Sequence, residues 1–302
     1  MDATASERAL SEVVGFVMIL GVIVVGLSIY QVYVVPAEGR EDEIVHMDVI
    51  NARFTDYKIS LDSLWLNNWT GSTLSTSFDL GTGGGNTLNP GWSLNLFSPI
   101  YSTGKVQVGQ RDEMISIDSN GPGGSYSANF TMGELEYLSG NNYWIQQSYR
   151  YQMGGVFLTQ ENENGSTIRI LPSFSVYNIS RSGGSTTAKV KLTLIQIQGD
   201  QVITGGGPVR VDTRLREGIE RRAYTKQYNV TITVNASDEL TARTWERVFY
   251  QTAMNGNIPA TWYTIDRTGS NTTFDIWGKI SEGVDFDITR ASYLVSIQSL
   301  AR

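Results

Sequence analysis

Cysteine is absent from the 302 residues, and histidine occurs once, at His46. The first absence excludes a disulfide framework, a thiolate metal centre and a cysteine nucleophile. The second makes a Ser-His-Asp triad or a multi-histidine metal site hard to build. Basic residues are also in deficit: 23 Lys+Arg stand against 30 Asp+Glu, a net charge of −7. A chain that grips DNA or RNA needs a basic surplus for its phosphate contacts, so no nucleic-acid partner is expected. Gly205-Gly206-Gly207-Pro208 lacks the Gly-Lys-Ser/Thr ending of a phosphate loop, and no fixed-period repeat suggests a solenoid. No cofactor, metal or catalytic residue is expected from this inventory. What remains is 40% apolar and 11% aromatic, enough to bury a core in one or two domains of about 150 residues each.

Val13 to Val35 reads VVGFVMILGVIVVGLSIYQVYVV, 23 residues without a charge. As a helix it reaches about 35 Å, enough to cross a hydrocarbon layer of roughly 30 Å. It is longer than the apolar stretch of a secretory signal, and uncharged on every side, unlike a buried core helix. Arg8 is the sole basic residue before it, offset by Asp2, Glu7 and Glu12, so charge alone sets orientation weakly. Beyond it lie Glu38, Arg40, Glu41, Asp42 and Glu43, then Asn-x-Ser/Thr sequons at Asn68, Asn129, Asn164, Asn178, Asn229, Asn235 and Asn271. This favours a bulk outside the membrane, with those asparagines as glycosylation candidates.

Glu7-Arg8-Ala9-Leu10-Ser11-Glu12-Val13-Val14-Gly15-Phe16 resembles the processing site and membrane helix of archaeal type IV pilins and archaellins. The later stretch Leu27 to Ala37 is similar to pilin-like surface proteins of haloarchaea and methanogens, and the likeness covers about the first 60 residues. It implies cleavage by a prepilin-type peptidase after Arg8-Ala9, leaving Leu10 as the new N-terminus and Glu12 close to it. It also implies a helical filament of identical subunits. In bacterial pilins the helix glutamate lies further along, so its role transfers only in part. The physics is readable beside the likeness. An isolated Glu12 carboxylate at a lipid edge is costly, and a freed α-amino group at Leu10 would compensate it. Gly15, Gly21 and Gly26 weaken the helix in water yet allow close approach of neighbouring helices.

Pro36 should end or bend this run. Met47, Ile50, Phe54, Tyr57, Leu61 and Leu64 then recur at steps of 3 and 4, a one-sided helical stripe. The same spacing suits a coiled-coil seam; the resemblance instead implies packing on a β head. His46 borders the stripe and reads as structural or solvent-facing. From Trp65 the sequence turns to strands and glycine-rich loops: a hairpin around Asn164-Gly165, alternation in 189–197, 228–234 and 274–277, and end strands at 285–288 and 293–297. One helix is expected after Ser237 as N-cap, ending near Asn255-Gly256.

Two local clusters suggest chemistry at first sight. Gln160 to Gly165 has calcium-loop composition, but Leu171 stands where the closing carboxylate belongs. Arg214, Arg216, Arg221 and Arg222, interleaved with Glu217 and Glu220, read as a salt-bridged exposed face.

The expectation is therefore an α+β protein: a long hydrophobic helix, a mostly antiparallel β-sandwich-like head and one additional helix. Its divisions are a cleaved leader at 1–9, a membrane or filament-core helix at 10–35, an amphipathic extension at 36–66 and an extracytoplasmic head at 67–302. Its function is that of a structural subunit of a surface filament, inserted in the membrane before assembly, with adhesion as a further role. The alternatives are an unassembled anchored protein that binds polysaccharide or a surface layer, and an anchored hydrolase.

Overall fold

The computed structural model describes residues 3–83, 98–161, 165–181 and 184–300. The side chains of 3–11, hence of Arg8, Ala9 and Leu10, lie outside the described residues, as do Asn164 and Gly84 to Asn86.

One helical rod opens the chain: α1 (Ala3–Ile29), a π turn (Tyr30–Val34) and α2 (Val35–Leu66). The break expected at Pro36 is a widened turn instead. Proline has no N–H to give the carbonyl four residues back, and its ring crowds that carbonyl in an α turn. The π turn relieves both, with the Val35 N–H reaching back to the Tyr30 oxygen. Helix α1 stands uncovered: Phe16, Met18, Ile19, Val22 and Val25 are each more than half exposed. Ser28, polar within this run, donates its hydroxyl to the Val24 carbonyl at 2.7 Å, which removes the cost of an unpaired group there. This rod is long and apolar enough to cross a membrane.

The second half of the rod behaves oppositely. Met47, Ile50, Phe54, Tyr57, Leu61 and Leu64 are all buried. Around them curls a mostly antiparallel β head. One sheet runs β1 (Thr73–Asp79), β10 (Pro208–Leu215), β15 (Val284–Ser299), β8 (Thr186–Gln198), β7 (Phe174–Ser180), with β11 (Glu220–Gln227) also on β15. The other holds β13 (Tyr263–Thr268), β14 (Asn271–Ile276), β12 (Asn229–Asn235), β2 (Thr103–Gly121), β3 (Gly124–Gly140), β4 (Gln147–Gln152), β5 (Gly155–Gln160) and β6 (Thr167–Ile170), in that order. A short strand, β9 (Gln201–Gly205), pairs with β2. Strands β8 and β15 pair in parallel.

Two cores result. The proximal core encloses the α2 stripe with Phe78, Tyr137, Tyr151, Ile195 and Tyr293; the distal core gathers Ile117, Phe130, Val190, Phe249, Phe274 and Phe286. The long strands serve both cores by changing the face they bury. In β15, Val284, Phe286 and Ile288 face the distal core, then Ala291, Tyr293, Val295 and Ile297 the proximal one. Alternation has period two, so this step from even to odd positions puts the two cores on opposite faces of one sheet. The end segments expected as separate strands at 285–288 and 293–297 are thus one strand.

Helix α3 (Glu239–Asn255) covers the distal core with Trp245, Val248 and Phe249. Its N-cap is Asp238 rather than Ser237: the Asp238 carboxylate accepts the Thr241 N–H at 2.8 Å. Burial pushes this carboxyl up, but the N–H and hydroxyl of Thr241 and the Ser237 hydroxyl outweigh it, and the group sits below the usual aspartate range. Strands β5 and β6, on either side of the turn expected at Asn164-Gly165, pair antiparallel.

Candidate functional site

The rod and its entry into the head form the site with the clearest construction. Glu43, one turn before the apolar stripe, is buried. A buried carboxylate must be matched by donors or it destabilises the fold by several kcal/mol. Here the backbone N–H groups of Asn142, Tyr143 and Trp144 point at it from 2.6, 2.8 and 2.7 Å. Three consecutive N–H groups make a small anion nest, and charge-assisted bonds of this length are among the strong ones.

The neighbours of Glu43 complete a clasp. Gly39 is required by close approach: a Cβ there would lie 2.4 Å from the Tyr143 ring. The Arg40 guanidinium stacks 4.3 Å over Trp144. The Tyr143 hydroxyl accepts the Ile100 N–H at 3.1 Å, and the Asn142 side-chain amide donates to the Tyr101 carbonyl at 3.2 Å. One turn further on, His46 bonds through Nε2 to the Asp79 carbonyl at 2.9 Å, while its buried Nδ1 has no partner among the described residues. Burial depresses the His46 pKa, against opposing pulls from the Asp79 carbonyl and from the Asp79 and Glu43 charges. The imidazole is therefore neutral, with Nε2 donating. Deeper still, the Tyr57 hydroxyl meets Thr213 at 2.9 Å and Tyr293 donates to the Leu61 carbonyl at 2.8 Å.

Outward from the clasp Val35 is still buried, but the described side chains from Glu12 to Ile29 are all exposed. Glu12 is exposed, and a Cβ on Gly15, Gly21 or Gly26 would meet nothing within 4 Å. Among the described residues those glycines answer no packing demand.

A second buried polar group lies where the two cores meet. A register shift between Gln110 and Met114 turns Glu113 inward. It accepts Gln152 Nε2 at 2.7 Å and the Ser237 hydroxyl at 2.7 Å. Arg150 lies 3.7 Å from Glu113 and 3.6 Å from Glu134. One guanidinium is thus shared by two buried carboxylates, which ties β2, β3 and β4 together at the joint between the cores. Among the described residues no group of three His, Asp or Glu is placed to hold a metal ion.

The remaining sequence candidates distribute over the surface. Asn68, Asn129, Asn178, Asn235 and Asn271 are exposed. Asn229 is half-buried, its amide nitrogen engaged by Thr231 and Asp275. Arg214, Arg216, Arg221 and Arg222 are exposed, with Arg216 against Glu217 and Arg222 against Glu220. Sequence reasoning placed the stripe but missed the clasp, because Glu43 sits in a charged run that reads as solvated. Its partners lie about a hundred residues away. Comparisons with protein-family models, with curated proteins and with solved structures return no match.

Proposed function

We propose that the chain is a pilin-like subunit that assembles through its N-terminal helix into an extracellular surface filament, with adhesion as a further role. It inserts in the cytoplasmic membrane, is cut after Ala9 by a prepilin-type peptidase, and then leaves lipid to pack with copies of itself. The observation that carries this reading is the two-sided character of one continuous helix. From Val13 to Ile29 it is exposed and uncharged on every face, while its second half is locked in the head. A plain anchor needs only a tether. A filament needs each head at one fixed angle to its rod, because a repeated heterologous contact propagates any variation in that angle. The Glu43 clasp and the helical passage through Pro36 supply that rigidity. Burial of rod side chains such as Phe16 or Ile23 against neighbouring copies is worth about 1.5–3 kcal/mol each relative to water. Lipid offers a comparable gain before assembly, so choice between the two rests on packing and on the partner of Glu12, which the new α-amino group of Leu10 provides.

Mass spectrometry of the N-terminal peptide from native cell-surface protein tests the maturation step. The expected mature terminus is Leu10. Retention of Met1 or Asp2 on the surface form contradicts it and favours the unassembled, anchored protein.

A further inference from the structure

The end of the head opposite the rod carries a cleft that the assembly reading does not use. Strand β2 starts beside the clasp and ends at Gly121, and its 19 residues span roughly 60 Å. At that far end a cleft of about 640 Å³ opens between the β2–β3 turn, the end of β11 and the loop before β15. Its apolar walls are Pro122, Tyr228, Trp277 and Ile280; its polar groups include Lys226 and Glu282. Tyr228 is 68% exposed and Ile280 93% exposed, so large apolar surface is left in water on a pole that the fold does not need for its core.

The walls are fixed. Lys226 adopts φ 53°, a left-handed conformation that costs a non-glycine residue about 1–3 kcal/mol. It is held there by a register shift between Tyr224 and Gln227 and by its N–H donating to Asp285, which Arg181 also grips at 2.6 Å. Opposite it, Gly283 has φ 67°, and a Cβ there would lie 2.5 Å from the Gln227 carbonyl. The Trp277 indole N–H is spent on the Thr261 carbonyl at 3.0 Å, which restrains the ring that lines the cleft. Among the described residues, the Lys226 ammonium and the Glu282 carboxylate have no side-chain partner.

We propose that this cleft binds a neutral saccharide. The chemistry selects the class by elimination. A ligand of one charge would gain one of the Lys226 and Glu282 contacts and meet the other as a like charge, so it nets little, and an acyl chain would press hydrocarbon on both. A neutral sugar ring presents apolar C–H faces to Trp277 and Tyr228 and hydroxyls to one donor and one acceptor group at the rim. Preformed walls lower the ordering cost that otherwise limits affinity for so small a ligand. The site stands independently of filament assembly and gives the far pole a contact chemistry whether or not the rods polymerise.

Saturation-transfer NMR on the full chain in lipid nanodiscs tests this, since sugar-headed detergents would occupy the cleft. The probes are methyl glycosides of glucose, galactose, mannose and N-acetylglucosamine and their short oligomers. At least one should bind saturably, with transfer strongest at ring C–H protons. Tyr228→Ala should weaken it about tenfold or more, Glu282→Gln should weaken it measurably, and Trp69→Ala, an exposed tryptophan outside the cleft, should not. Circular dichroism melting of each variant separates lost binding from lost fold. Three results overturn the proposal: no saturable binding across the panel, equal affinity in Tyr228→Ala, or binding of an apolar peptide with no saccharide bound.

Discussion

Glu43 and His46 lie less than one helical turn apart and share the task of seating the rod, through different bonds. Glu43 accepts three backbone N–H groups and works as an anion. His46 works as a neutral donor whose other nitrogen is buried and has no partner among the described residues. Burial lowers its folded pKa below the ordinary 6.5, so between the folded and unfolded pKa values the unfolded chain binds the extra proton. Stability from this residue is therefore full above about pH 6.5 and falls as pH drops towards the folded pKa, where the loss levels off. Because His46 is the sole histidine, His46→Gln, which keeps a donor for the Asp79 carbonyl, should flatten the stability profile over that window. Denaturant titrations of wild type and variant at a series of pH values check this; superimposable slopes would remove His46 from the account.

At the scale of elements, the rod divides into a half that stabilises the head and a half that does not. Phe54 packs at 5.3 Å from Phe78 and 5.8 Å from Tyr149, fully buried. Phe54→Ala should cost about 3–5 kcal/mol of head stability, whereas Ile23→Ala, half exposed on α1, should leave the head's melting midpoint unchanged. Thermal unfolding of both variants in lipid nanodiscs measures the contrast. The stripe behind it was readable because Met47 to Leu64 keep a helical period without interruption. The long β2–β3 hairpin was not. Val106 and Val108 bury one face of β2, then Ile115 and Ile117 the other. That change of parity, together with the two-residue register shift between Gln110 and Met114, erases the simple alternation by which a strand is recognised. The same change hid the continuity of β15. The clasp and the far cleft were illegible for another reason: each is assembled from segments far apart in the chain, about a hundred residues in the clasp, and no local pattern encodes that meeting.

At the scale of the whole molecule the parts lie in sequence along one axis. The bare rod comes first, then the clasp, the proximal core around α2, the buried Glu113–Arg150 joint, the distal core under α3, and the cleft. Rigidity at each junction has a named cause: three N–H bonds to Glu43 at the first, one guanidinium shared by two buried carboxylates at the second. A molecule built this way keeps its apolar end and its far pole in a constant relation, which suits a subunit repeated along a polymer and displaying one surface outward.

Electron microscopy of sheared cell-surface material, labelled with an antibody raised against the head, tests that account most directly. It predicts label on filaments, lost when Ile23 and Phe16 on the rod are replaced by charged residues that leave the head folded. Label confined to membrane fragments, with the native rod intact and no filament carrying it, would contradict the account.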